Sequence, residues 1–548
     1  MIPFEYKASS CLKQSKALAC NSMQLELSPY QVNYIDENEF IVFNKRSGFR
    51  THKVNENQLG LVEVLSAKTN LDLLVVHRLD KETSGLILFA KNKIAAAKLS
   101  NLFEQHQIKK TYFFLTDHEV QFTKQTVVSH IEKSDKTYIN NPSREPNSKT
   151  LFKYIQKISE HCHLWEAEPV SGKPHQIRLH AELIKIPILG DSEHGGSHFF
   201  RLALHSGKIE FNIDQKLYSY EAELPFCFKN PVKSLGDFLE NEYQDLQKIY
   251  KINSQQTYRL YHRSHHEQNI RVDLYGQIIW VYWYKTEPPT QEDLNSTEDF
   301  CKRHNLNYVI RHMINRGTGV GGLEHKDLYY SNTPEKWIAL EHQLKAELRR
   351  DQGFSPGLFL DQRSNRQFIF NHSKNKNVLN LFSYTSLFSV AAALGQAQSV
   401  TTVDASPNFL NWSKENFKIN SIDPENKAYE FFAQDSLLFL QGSIKRERKW
   451  DIIICDPPSF GRTKKTTWKI EKDLPNLIQA MWACLNPNGF ILFTCNYEKW
   501  TLDDIEKMFK KSLNGSRFLI QNLPITDLDF EFPDAFDNLL KGVLIYRK

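Results

Sequence analysis

The 548-residue chain has no Cys-x-x-Cys pair; its eight cysteines, Cys11, Cys20, Cys162, Cys227, Cys301, Cys455, Cys484 and Cys495, are scattered. That spacing excludes a zinc ribbon, and no metal is expected. Thin scatter over a long chain fits free thiols in a reducing compartment. No run approaches the ~20 apolar residues of a membrane span, and Met1 to Leu25 lacks the apolar core of a signal peptide. A cytoplasmic protein with no membrane partner, and a monomer, is expected. The net charge is only +5, so any nucleic-acid contact must come from local cation clusters. The Gly-x-Gly-x-x-Gly of a dinucleotide fold is missing. The glycine-rich Gly317 to Gly322 lacks the Gly-Lys-Ser/Thr ending of a phosphate loop and reads as a hairpin tip. What is present is 41% apolar and 12% aromatic residues. That is enough for several cores, roughly three to five units at about 100–200 residues per domain.

The most informative stretch runs from His77-Arg78-Leu79-Asp80 through Thr83-Ser84-Gly85 into the apolar Leu86-Ile87-Leu88-Phe89-Ala90, which reads as a buried strand. A carboxylate beside a guanidinium is, alone, a weak surface pair. The whole string, however, resembles the signature His-Arg-Leu-Asp-x-x-Thr-Ser-Gly of RluA-type pseudouridine synthases. The resemblance implies an α+β fold on a mixed antiparallel sheet, Asp80 as nucleophile, and no cofactor. Val32 to Lys45 reads as two strands around a turn. Lys45-Arg46 stands where the family has Lys-Pro, so a looser loop is expected there. Lys91 to Gln107 reads as a helix and Lys109 to Leu115 as a strand; its Lys-x-Tyr implies that Tyr112 lines the site. Residues 130 to 150 read as a surface loop. His175-Gln176-Ile177-Arg178-Leu179-His180 and Gly190-Asp191 match further family motifs, while Ser171, Lys173 and Pro174 depart from them. Arg78 and Arg178 are the candidate partners of Asp80.

Val232 to Ile252 is helical in pattern and Asn253 to Gln256 breaks it, which marks a joint. Tyr258 to Tyr284 alternates as a small antiparallel sheet, followed by a helix near 298–305 and a strand near 306–313. From Asn377 strand and helix alternate as a doubly wound parallel sheet, closed by a strand at 542–546. Strand ends then carry the chemistry: Asp404 can take ribose hydroxyls, and Asp456-Pro457-Pro458-Ser459-Phe460 signals S-adenosylmethionine (SAM) chemistry. Residues 258–548 resemble an RlmK-type 23S rRNA guanine-N7 methyltransferase module, a Rossmann-like class I α/β domain. That resemblance puts Phe359, Asp361, Arg363, Ser383, Tyr384, Asp404, Asp435 and Asp456 around SAM. Pro457, Pro458, Phe460, Arg462, Lys464, Lys465 and Asn496 are expected on the RNA side. Arg462 to Lys469, four cations and Trp468, suits phosphate contact and base stacking.

The expected layout is an extension at 1–28, the synthase domain at 29–230, a linker helix at 231–256, a small α+β RNA-binding module at 257–350 and the methyltransferase domain at 351–548. About 28 residues are too few for a separate RNA-binding domain ahead of the synthase. The expected protein is a bifunctional enzyme acting on 23S rRNA or a large-subunit precursor. Two alternatives stand beside it. Cys495, where the family has Asn, raises cytosine-C5 methylation, which needs a cysteine nucleophile. Ser386, where the family has Gly near the cofactor, favours an RNA-binding assembly factor with an inert second half.

Overall fold

A computed structural model describes residues 32–53, 59–135, 137–262, 269–315, 323–352, 355–462, 467–497, 499–524, 527–530 and 540–548. The N-terminal extension, the Gly317 to Gly322 stretch, Lys464 and Lys465 lie outside these residues.

The first half is built on a ten-stranded sheet. Strand Ser84–Ala90, buried along its whole length, is central to it. It pairs antiparallel with Phe40–Lys45 and parallel with the start of Leu204–Ile213, where Ser84 faces His205 and Gly85 faces Ser206. The loop expected at 130–150 contains an antiparallel hairpin instead, Ile131–Ser134 with Thr137–Asn140. Its polar letters hid the pairing, in which Ile131 alone is buried. Lys45-Arg46 is not loose. Buried Lys45 Nζ donates to the carbonyls of Arg46, Phe49 and Lys81. Buried Arg46 donates to Glu242 at 2.8 Å and to the Leu260 carbonyl. Two cations do here, by hydrogen bonds, what a proline ring does by fixing φ.

Glu242 lies on helix Leu235–Ile249, which opens with a Ser234/Asp237 capping box. Its apolar face is buried, and its carboxylates are shared out. Asp245 takes Arg201 of the first half at 3.0 Å, whereas Glu240 takes Arg303 and His304 of the following module. Helix Gln291–His304 connects two parallel strands, Ile278–Trp283 and Asn307–Asn315, so the small five-stranded sheet is mixed rather than antiparallel. A helical crossover is what lets neighbouring strands run parallel.

The all-apolar Ile278–Trp283 follows from its position. Ile279, Val281 and Trp283 join one continuous core that also holds Phe43, Phe89, Trp165 and Phe238. Ile278, Trp280 and Tyr282 face the other way, into a core with Leu358, Leu387, Val390 and Phe417. A sheet covered on both faces loses the apolar–polar alternation. The small sheet is thus the slab between the two halves.

The last sheet has seven strands, ordered Tyr429–Ala433, Ser399–Asp404, Asn377–Leu381, Trp450–Cys455, Leu485–Cys495, Lys541–Arg547, Phe518–Asn522. The first five are parallel, but Lys541–Arg547 runs against them and pairs antiparallel with both its neighbours, Leu485–Cys495 and Phe518–Asn522, which corrects the all-parallel expectation. No helix of the described residues is long and apolar enough to cross a membrane.

Candidate active sites

In the first half each letter of the motif has a local task. His77 is half-buried, stacks on Phe103, and accepts the Leu88 amide on Nε2 at 2.9 Å. Burial, helped by Lys110, pushes its pKa down to about 3, so it stays neutral and an acceptor. Leu79 sits in the core, with its amide and carbonyl both bonded to the Thr51 hydroxyl. Ser84 Oγ meets His205 Nδ1 at 2.9 Å and takes a bond from Arg201. Gly85 has φ +109°, and a Cβ there would stand 2.3 Å from the Ser206 carbonyl oxygen, so only glycine fits.

These contacts hold Asp80 at the head of the strand with its carboxylate about one-third exposed. Arg178 Nη1 lies 3.6 Å from it. Arg178 is in turn gripped by Asp191 through two bonds of 2.7 Å, and by Glu193 at 2.9 Å. Burial opposes its charge, but Asp191 outweighs burial and the pKa moves up. Tyr112 is buried; burial raises its pKa and the Asp80 charge adds to the rise. Asp80, Tyr112 and Arg178 therefore come together. Arg78 does not join them; it is exposed, and no ion pair to Asp80 is formed by it among the described residues. Gln176 and His180, from the second motif, are braces. Gln176 bonds Ser171, Lys173 and Thr150, while His180 bonds Ser129, Ser148 and Thr150. Asp191 and Glu193 were not expected as partners of Arg178. Gly190-Asp191 was visible as a motif but says nothing of what it holds.

In the second half a cavity of about 1100 Å³ opens at the carboxyl ends of the parallel strands. Seven of the eight expected cofactor residues line it: Phe359, Asp361, Ser383, Tyr384, Asp404, Asp435 and Asp456. Asp404 accepts the amides of Tyr384 and Ser406 at 2.9 and 2.8 Å; burial nevertheless pushes its pKa up. Asp435 caps helix Ser436–Lys445. Asp456 accepts from Thr494 and Gln362 at 2.8 and 2.9 Å. Burial, with the Asp361 charge adding, raises it to about 6. Ser383 Oγ is buried on this wall without a hydrogen-bond partner among the described residues. A buried orphan hydroxyl calls for a ligand.

Arg363 has another place. It does not line the cavity; it is 1% exposed, pairs with Asp529 at 2.8 Å and Asp527 at 3.3 Å, and donates to the Thr257 carbonyl. Arg366, one helical turn on, lines the cavity in its stead. Of the expected RNA-side residues, Pro457, Pro458 and Asn496 reach the rim, Phe460 is exposed outside it, and Arg462 lies on the short strand Phe460–Arg462. Trp468 is turned inward, with its indole N–H on the Pro458 carbonyl at 2.7 Å and its ring on Phe382. It braces the Asp-Pro-Pro turn.

Ser386 adopts φ +61°, the left-handed region that favours glycine. Its hydroxyl points to Ser413 at 2.5 Å, and it does not line the cavity. Replacing Ser386 with Gly is therefore expected to leave SAM affinity within about twofold, read by calorimetry, because backbone shape and cavity wall stay the same. A tenfold gain on Ser386→Gly would show that the serine does obstruct the cofactor. Cys455 and Cys495 are both fully buried, do not line the cavity, and are pushed upward by burial, the reverse of what an attacking thiolate needs.

Comparison with known proteins bears on both halves. The RNA pseudouridylate synthase family model matches residues 39–183, and that of S-adenosylmethionine-dependent methyltransferases matches 321–514. A protein of Pseudoalteromonas atlantica named ribosomal RNA large subunit methyltransferase K/L is 32% identical over 319 residues, 55% of this chain and 43% of that protein. The chain thus spans less than half the length of this relative. Among solved structures, the SAM-dependent methyltransferase of Agrobacterium tumefaciens is 22% identical, covering 51% of this chain and 87% of that one, at a TM-score of 0.38. Human RNA pseudouridylate synthase domain containing 1 is 21% identical over 36% and 86%, at 0.32. The chain joins an RNA pseudouridylate synthase domain to an S-adenosylmethionine-dependent methyltransferase domain.

Proposed function

We propose that the chain is a bifunctional RNA-modifying enzyme. The first half isomerises uridine to pseudouridine, with Asp80 attacking the flipped nucleotide at the sugar C1′ or the base C6. Arg178 holds the attacking carboxylate in place, and Tyr112 closes the wall beside it. The second half methylates a base of 23S rRNA, with guanine N7 the best acceptor. The cofactor supplies the methyl group; Asp404, Asp435, Asp456 and the orphan Ser383 hydroxyl hold it. The protein is taken to be a cytoplasmic monomer.

The observation that carries the choice of base is that no cysteine lines the cavity among the described residues. Guanine N7 already has a lone pair and needs only alignment with the methyl group. Cytosine C5 needs a thiolate. The inert reading rested on Ser386, whose side chain is turned from the cavity. The test is to incubate full-length protein with SAM and protein-free large-subunit rRNA and to map the products. Pseudouridine and 7-methylguanosine are expected; 5-methylcytidine in place of 7-methylguanosine overturns the assignment of the base.

The raised pKa of Asp456 gives a pH signature. Its burial disfavours the carboxylate, so it costs fold stability above about pH 6, a cost relieved as pH falls toward the ordinary carboxylate range. Cofactor binding runs the other way, because a sulfonium prefers the ionised form. At pH 5 about one-tenth of a group with that pKa is ionised. SAM affinity is thus expected to drop up to about tenfold from pH 8 to pH 5, and the Asp456→Asn variant to lose that dependence. A wild-type affinity flat across this range contradicts the assignment.

A further inference from the structure

We propose that His175, Glu193 and His194 bind one divalent transition ion of the zinc class, beside the synthase site but apart from its chemistry. Their donor atoms form a compact triangle. His175 Nδ1 is 3.0 Å from His194 Nε2 and 3.5 Å from Glu193 Oε2, and the last two are 4.0 Å apart. A point about 2.1 Å from all three exists, which is the zinc–nitrogen and zinc–oxygen length. The imidazoles stand at 83° to one another. Their facing nitrogens are within hydrogen-bond distance, and the ion would take the place of that contact.

The site is held in shape. His175 is at φ +54°, a left-handed residue at the head of helix Gln176–Leu183, a strained state kept only where surroundings demand it. His194 is 4% exposed, and its amide bonds Asp191. Its other ring nitrogen lies 3.7 Å from the Glu182 carboxylate, beyond hydrogen-bond reach but near enough to favour a cation. Glu193 is exposed and gives an entry path. Arg178, 2.9 Å from Glu193, opposes a cation. Asp191 already neutralises that guanidinium, and Glu182 adds a further negative charge. Two imidazoles and one carboxylate suit zinc, copper or nickel rather than magnesium or calcium. Such an ion would clasp the Gly190 to Gly196 loop to the helix head.

The test uses full-length protein stripped by a chelator. Zn²⁺ is titrated against a metallochromic indicator, Co²⁺ spectra are recorded, and melting is followed with and without Zn²⁺. One ion per chain, visible bands of nitrogen and oxygen ligation and a higher melting temperature are expected. His175→Ala and Glu193→Gln should each lose about tenfold or more in affinity. Both positions are at least partly exposed, and melting of the metal-free variants checks that they fold. The proposal is overturned by no stoichiometric binding, by unchanged affinity in both variants, or by a thiolate-to-cobalt charge-transfer band, which would assign the ion to cysteines. None of these readouts depends on whether Asp80 catalyses.

Discussion

Asp80→Asn is expected to lower pseudouridine formation at least about a thousandfold while methyl transfer and melting stay at wild-type level. The amide keeps the shape of the carboxylate but is a far weaker nucleophile, and a covalent path has no substitute for the attacking group. The fold should not notice. The carboxylate is one-third exposed and its only ion pair among the described residues spans 3.6 Å, a type of contact worth little. The motif is held instead by Leu79 in the core, Ser84 on His205 and Gly85 against Ser206. Mass mapping of pseudouridine in rRNA, with 7-methylguanosine as an internal control, separates the two halves. Pseudouridine within tenfold of wild type in Asp80→Asn, or loss of both modifications together, would contradict the assignment.

Legibility in the synthase half followed the range of the contacts. The tight motif from His77 to Gly85 could be read because its letters serve each other and the adjoining strand. The partner of Asp80 could not, since Arg78 and Arg178 carry the same charge. Only the topology, which packs helix Gln176–Leu183 on strands Ser148–Ser159 and Cys162–Pro169 and brings Arg178 to 3.6 Å from Asp80, favours the one 98 positions away. Arg46 shows the same limit. Its departure from proline was visible, but its partners Glu242 and Leu260 lie some 200 residues on.

In the second half the regular strand–helix alternation made the five parallel strands plain, and their ends marked the acids of the cavity. What sequence could not give was side-chain direction. Ser386 sits at a glycine-like backbone position yet turns its hydroxyl to Ser413. Gln362 and Thr494 hold Asp456 but carry no signal beyond standing beside residues that do. Arg363 and Arg366 are one helical turn apart on the same short helix. Which of them meets the cavity is set by packing.

That difference gives the largest expected effect on stability. Arg363→Met is expected to destabilise the protein by about 3–5 kcal/mol, because it leaves Asp529, which is 0% exposed, without its guanidinium partner. Asp529 would keep the Arg259 amide at 2.9 Å, and Asp527 would keep Lys68, an ion pair from helix Leu61–Thr69 of the first half. Arg363 thereby ties the methyltransferase sheet, the middle slab and the synthase together, and its removal should loosen all three. The double variant Arg363→Met with Asp529→Leu should recover most of the loss, since a buried ion pair replaced as a unit by apolar side chains is often near neutral. Denaturant unfolding of the two variants checks this. SAM affinity of the folded Arg363→Met protein should stay within about threefold of wild type. A stable single variant that no longer binds SAM would return Arg363 to the cofactor, because only a direct contact loses the ligand and keeps the fold.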